Sequence, residues 1–234
     1  MNVVETFIIL DDVQFSKQSW QHRNRIRTDK GLEWLTVPVV TKGKSGQLIR
    51  DTKVASNLNY VRKHLGSIST HYSNAPGFAK YYSGFADAIE RSSSSGLISE
   101  LNVGLINWLR EEFELVETRV ITSSYLKVEG GRSERLVNIC ESVGAKCYIS
   151  PPGSVGYLEQ DAAIFDEAGI EVRVFEYEHP VYSQSYDPFI PYASSIDLLL
   201  NEGTRAKSIL ESGQRGTSGL DEFLLASGSA RSES

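Results

Sequence analysis

Residues 133–177 read SERLVNICESVGAKCYISPPGSVGYLEQDAAIFDEAGIEVRVFEY. SERLVNICESVGA reads as a helix stopped by Gly144. KCYIS is a strand that runs into a Pro-Pro-Gly-Ser turn. LEQDAAIFDEAG reads as a second helix closed by Gly169, and IEVRVFEY alternates as a strand does. TRVITSS, at 118–124, supplies a further strand ahead of them. Strand, helix, strand, helix, strand in succession predicts right-handed crossovers. The expected class is α/β, with a mainly parallel sheet and helices on both faces.

Working outward, VVETFIILDDV opens the chain, and Phe7 to Leu10 form the continuous apolar run of a strand covered on both faces. WLTVPVV (34–40) predicts another strand, with Pro38 marking an edge or an end. NLNYVRKHLGSISTHY (57–72) places Leu58, Val61, Leu65, Ile68 and Tyr72 at helical spacing. Pro76 breaks that run, and helices are expected over 78–92 and again over 98–115. SIDLLLNEGTRAKSILES (195–212) predicts one or two closing helices. The expected organisation is a single domain over 1–211 and a flexible, Ser/Gly-rich tail over 212–234.

The chain has 234 residues, 40% hydrophobic, with a net charge of −6. Its length suffices for one ordinary core, and its acidity argues against broad nucleic-acid binding. No apolar run reaches the ~18 residues of a membrane span, and no signal peptide is visible, so a cytoplasmic location is expected. Cys140 falls on a predicted helix and Cys147 on a predicted strand, without a nearby histidine. That pattern suits neither a disulfide nor zinc, and core thiols in a reducing compartment are expected.

Ligands of parallel α/β sheets bind at the carboxyl ends of strands. Four such ends are polar here: Asp11, Asp12 and Gln14; Ser123 and Ser124; Ser150 with its turn and Tyr157; and Tyr177, Glu178 and His179. Asp11 and Asp12 suit holding Mg²⁺, acting as a base or orienting a cation, and equally suit capping a turn. Lys17, Arg23, Arg25 and Arg27 form a cationic cluster beside Asn24. In an extended segment the three arginines share a face, where they either pair with Asp11 and Asp12 or bind a phosphorylated ligand. EHPVYSQSYDPFIPYASS (178–195) carries His179, Pro180, Tyr182, Gln184, Tyr186, Phe189 and Tyr192. It reads as a lid or stacking wall for a sugar or base, or as packing for the final helix. Asp197 and Asn201 share a helical face. His64 and His71, two turns apart, are too distant to share a metal. Phosphate loops and nucleophile elbows are absent.

Several stretches together resemble the WbqC-like proteins: FIILDDVQFSKQSWQHRNRIR, WLTVPV, RKHLGSISTHYSNAPGF, ISELNVGLINWL, SERLVNICESVGAKCYISPPGSVGYL, FDEAGIEVRVFEYEHPVYSQ and FIPYASSIDLLLNEG. They run in the family's order over nearly all of residues 5–210. The resemblance implies a bacterial protein encoded among genes for O-antigen or other surface polysaccharides. The implied activity is transfer of an acyl group, such as an amino acid, onto an amino sugar. Its implied site comprises Asp11, Asp12, Gln14, Lys17, Trp20, Arg23, Asn24, Arg25, His64, Arg135, Tyr157, His179, Pro180, Tyr182, Asp197 and Asn201. Of these, Asp11, Asp12 and His179 are the candidate catalytic groups. The expected ligand is a phosphorylated or nucleotide-linked sugar. Family members usually start with a strand, a QP-x-x-x-P-x-x-G-Y-F loop and a helix that this sequence lacks. A truncated chain with one bare sheet edge is therefore expected, and a homo-oligomer stays open. The rival readings are a nucleotidyl- or adenylate-forming enzyme and a non-catalytic binding subunit.

Overall fold

The computed structural model describes residues 1–55 and 59–231, so Leu58 of the expected first helix lies outside the described residues. In chain order the elements are β1 (Thr6–Ile9), β2 (Arg23–Thr28), β3 (Gly31–Thr36), α1 (Asn59–Tyr72), α2 (Phe78–Ser93), α3 (Ile98–Glu112), β4 (Arg119–Thr122), α4 (Ser123–Leu126), α5 (Arg132–Ser142), β5 (Cys147–Ser150), α6 (Val155–Gln160), α7 (Ala162–Glu167), β6 (Glu171–Tyr177), α8 (Ser195–Glu202), α9 (Ala206–Ser212), β7 (Gln214–Gly219) and α10 (Leu220–Arg231). The class is α/β.

The chain was expected to form a single domain over 1–211. It divides instead into two compact units, neither contiguous in sequence. The first takes Met1–Glu5, Leu10–Arg119 and His179–Ser212, and the second takes Thr6–Ile9, Val120–Glu178 and Gly213–Ser234.

In the first unit, β2 and β3 form an antiparallel hairpin in which Thr28 pairs with Gly31, leaving Asp29 and Lys30 as its two-residue turn. The Thr28 hydroxyl secures that turn, accepting from the Lys30 amide at 3.2 Å. The strand expected over 34–40 ends at Thr36, and the residues that follow leave the ladder before Pro38, which has no amide to donate. Around the hairpin sits a core that includes Ile26, Ile68, Tyr72, Ile89, Ile98, Leu101, Leu199 and Leu200. α1, α2, α3 and α8 supply most of it because each carries apolar residues three and four apart.

In the second unit, β1 and β4 form a parallel pair. β5, β6 and β7 form a separate three-stranded sheet, in which β5–β6 is parallel and β6–β7 antiparallel. With the β2–β3 hairpin also antiparallel, the sheets are mixed rather than mainly parallel. The succession at 133–177 did predict the parallel β5–β6 crossover. It could not register β7, because that strand comes from residues 214–219, expected to be part of a flexible tail. QRGTSG has little strand propensity, yet it pairs along β6 from Arg173 to Tyr177. α10 then packs Leu220, Phe223 and Leu224 onto Val137, Leu158, Phe165 and Val174. The single helix expected over 158–169 breaks into α6 and α7 at Asp161, whose carboxylate accepts from the Ser133 hydroxyl at 2.6 Å.

Both cysteines are free thiols. Burial pushes the Cys140 thiol up to about 11. Cys147, expected in the core, is exposed at the first position of β5.

Candidate functional site

β2 alternates as expected, and hairpin register sets its arginines against a residue that periodicity alone could not find. Arg25 lies directly across from Trp34 in the ladder, with Arg23 opposite Thr36. The Arg23 guanidinium sits over the Trp34 ring at 4.2 Å from its centroid. The Arg25 guanidinium lies 4.9 Å from the Trp20 ring and 5.4 Å from that of Trp34. The two indoles are 4.9 Å apart and tilted by 53°. They remain open, at 58% and 41% exposure for Trp20 and Trp34. Guanidiniums held over indole faces are stabilised by the ring quadrupole while their in-plane N–H donors stay directed outward.

Those donors are only partly used. Arg23 donates to the Gln18 carbonyl, and Arg25 donates through Nη2 to the Tyr192 carbonyl at 3.3 Å. Among the described residues neither guanidinium is paired with a carboxylate, and neither Nε has a hydrogen-bond partner. Pairing with Asp11 and Asp12, the alternative drawn from the sequence, is therefore not what holds Arg23 and Arg25.

Arg27 differs. It is 2% exposed, and its Nη2 donates toward the carbonyls of Tyr186, Asp187 and Pro188 at 3.3, 3.2 and 3.1 Å. It is a strut for the 186–188 turn, not a ligand-facing charge.

The loop ahead of α8 is held by two buried carboxylates of that helix, of which Glu202 accepts from the Ser183 amide at 2.8 Å. Asp197 is wholly buried and accepts from the Tyr72 hydroxyl at 2.5 Å, the Tyr182 hydroxyl at 2.6 Å and Gln184 Nε2 at 3.0 Å. The Tyr72 hydroxyl in turn accepts from the Arg27 amide at 2.8 Å, linking the network to β2. Burial, and then the adjoining Asp197 charge, drives the Tyr72 pKa far above its ordinary value. Asn201 donates to the Asp197 carbonyl at 2.8 Å and accepts from the Ser185 hydroxyl at 2.7 Å. Tyr182, Asp197 and Asn201 are thus brought together, as architecture beneath the loop.

His179 stands at the other end of the loop, against the rings of Tyr182, Phe189 and Tyr192. Its Nε2 accepts from the Tyr192 amide at 3.2 Å, so Nδ1 carries the proton and donates to the Pro180 carbonyl at 2.9 Å. Tyr192 has φ +65°, a left-handed conformation that costs a non-glycine residue free energy. Its amide is bound by His179 and its carbonyl by Arg25, so both contacts hold the strained residue beside the arginine–indole patch.

Next to that patch, a cavity of about 500 Å³ is lined by Trp34, Leu35, Thr36, Pro38, Asn59, Tyr60, Lys63, His64 and Ser67. His64 is buried and donates through Nε2 to the Thr36 carbonyl at 3.2 Å. Burial lowers its pKa. The imidazole is therefore neutral near pH 7, with Nδ1 left as an acceptor.

Of the remaining expected residues, Asp11 is buried, and its carbonyl accepts from the Arg50 amide at 2.7 Å; Asp12 is half-buried. Gln14 is exposed in an isolated bridge to Leu48, Lys17 is exposed, and Asn24 turns its Oδ1 back onto the Arg25 amide at 2.8 Å. Arg135 on α5 and Tyr157 on α6 belong to the second unit, as do Ser123, Ser124 and Ser150. The four strand ends expected to share one cleft rim come from two separate sheets. Among the described residues no group of three His, Cys, Asp or Glu is placed to hold a metal ion, and no helix is long and apolar enough to cross a membrane. Trp34, Lys63 and Tyr72 were missed. For Trp34 the signal was its distance from Arg25 across a two-residue turn.

A curated relative, the uncharacterized protein Rv1507c of Mycobacterium tuberculosis, is 36% identical over 208 residues, covering 88% of both chains. No solved structure matches. The sequence model of one family matches residues 1–209, from ahead of β1 to within α9, and so spans the arginine hairpin, the cavity and the loop: the chain belongs to the WbqC-like protein family.

Proposed function

We propose that the protein is a transferase of bacterial surface-polysaccharide synthesis that acylates an amino sugar presented in phosphorylated or nucleotide-linked form. One observation carries this reading. Arg23 and Arg25 are two charged guanidiniums, unpaired with any carboxylate among the described residues, held over exposed indoles of which Trp34 also lines a cavity. A phosphate supplies the acceptor oxygens their outward N–H groups lack. The indoles supply faces for a base or a sugar ring. In the reaction, the sugar amine attacks the carbonyl carbon of an activated acyl donor. The N–C bond forms, the bond to the donor's leaving group breaks, and the amine proton passes to a carboxylate, for which Asp11 and Asp12 are the candidates. His179, with both ring nitrogens engaged, acts as a positioning residue through Tyr192 and Arg25.

The test is isothermal titration of the protein with UDP-N-acetylglucosamine, dTDP-glucose and GDP-mannose. Charge-assisted hydrogen bonds contribute about 1.5–3 kcal/mol, so Arg23→Ala and Arg25→Ala should each weaken the ligand that binds by about tenfold or more. Unchanged affinity in both variants would remove the phosphate role. The exposed face of Trp20 suits adenine as well. A rise in Tm with ATP and Mg²⁺, but not with the nucleotide sugars, would favour a nucleotidyl- or adenylate-forming enzyme.

A further inference from the structure

The cavity beside Trp34 has a composition of its own. Among the described residues its only charged lining group is Lys63, and no carboxylate lines it. Thr36, Asn59 and Ser67 offer neutral donors and acceptors, while Trp34, Leu35 and Pro38 offer apolar walls. His64 lines it as a neutral imidazole whose proton is committed to the Thr36 carbonyl, which leaves Nδ1 to accept. A free ammonium would meet Lys63 with nothing to offset it. A ring bearing hydroxyls, with one apolar face, would meet an indole, a hydroxyl-accepting nitrogen and several neutral partners.

About 500 Å³ is within the ordinary range of small-molecule pockets and is ample for a hexose. Tyr182, the aromatic expected to cover a sugar from the loop, is buried and hydrogen-bonded to Asp197, so its ring is not available to a ligand. Trp34 is common to the cavity wall and the arginine cluster. Arg23 and Arg25 both lie against Trp34, and Trp20 lies against Trp34 and Arg25.

We propose that this cavity is the hexose seat of the site, selective for neutral or acidic sugars, so that a nucleoside diphosphate sugar lies with its ring against Trp34 and His64, its phosphates on Arg23 and Arg25, and its base on Trp20. This rests on the phosphate reading above and adds where the sugar goes and which sugars are accepted. Lys63 carries the selection. It favours a uronate carboxylate and disfavours a sugar ammonium, so an amino sugar enters with its amine neutral, the form that attacks an acyl carbon.

The experiment compares UDP, UDP-glucose, UDP-glucuronate and free glucuronate by isothermal titration and ligand-observed NMR. The proteins are the full chain, Ser67→Phe, which fills the cavity from α1, and Lys63→Glu, each checked by circular dichroism. The expected result is that Ser67→Phe leaves UDP affinity unchanged but loses the added affinity, about tenfold, that the sugar confers. Lys63→Glu should invert the preference for UDP-glucuronate over UDP-glucose. An undiminished sugar increment in Ser67→Phe, or equal losses for UDP and UDP-sugars, would overturn the proposal. Should UDP and UDP-sugars all fail to bind, free glucuronate decides. Binding that Ser67→Phe abolishes keeps the sugar seat and rejects the phosphate reading, whereas no binding rejects both.

Discussion

Asp197 shows how much one buried carboxylate can organise when every donor around it is neutral. Both oxygens are occupied by the hydroxyls of Tyr72 and Tyr182 and the amide of Gln184, and no cation is among these partners. Asp197→Ala would strand those three donors in the core, where each unpaired group costs about 1–3 kcal/mol. We expect a loss of about 3 kcal/mol in urea unfolding of the full chain, with Tyr182→Phe costing less because it removes donor and need together. A change under 1 kcal/mol for Asp197→Ala would show that the network is not a major support. The spacing of Asp197 and Asn201 made their shared face legible in the sequence, and the flanking leucines made burial of Asp197 legible. Its partner Tyr72 was not, because the pair is separated by 125 positions and no local period reports such a distance. Arg27 was misread with Arg23 and Arg25 for the same reason. Alternation puts all three on one face, and only the fold reveals that carbonyls of the 186–188 turn cover the third.

Between elements, α2 and α8 approach each other closely in the first unit. Gly77 precedes α2, its amide donates to the Leu200 carbonyl at 2.8 Å, and a Cβ there would come within 2.6 Å of the Leu199 carbonyl oxygen. Its φ of −87° is ordinary for any residue, so the requirement is one of space alone. Gly77→Ala should therefore cost about 1–3 kcal/mol through forced separation of the two helices, measured as a lower urea midpoint at unchanged slope. Stability equal to the parent would mean that α8 moves aside freely. At this scale the sequence was informative where an element carries its own signal. α1, α2, α3 and α5 appear close to where apolar spacing put them, and Gly144 and Gly169 end their helices at positive φ. β7 carries no such signal. QRGTSG becomes a strand only because β6 offers an edge to it, which is a property of the partner.

For the molecule as a whole, the end of the chain is structural. A protein ending at residue 212 would lack β7 and α10 and leave Val174, Phe165 and Leu158 without Leu220, Phe223 and Leu224. Hydrogen exchange comparing it with the full chain should show β6 amides losing their protection. Retained protection along β6 would mean that the last two elements add nothing to the second unit. The composition of residues 212–234 suggested disorder, since serine and glycine dominate it, but three apolar side chains on one short helix were enough to anchor it.

Neither unit is a continuous run of residues: the first needs Met1–Glu5 as well as His179–Ser212, and the second needs Thr6–Ile9 as well as the residues after Gly213. A ribosome making this chain thus releases β1 long before β4, its partner, exists, and releases β6 before the strand that closes its free side. Long-range closures of this kind are slow. The nascent protein accordingly carries open strand edges until β4 and then β7 have emerged, and the second unit is completed only after the last residues of the first have been made.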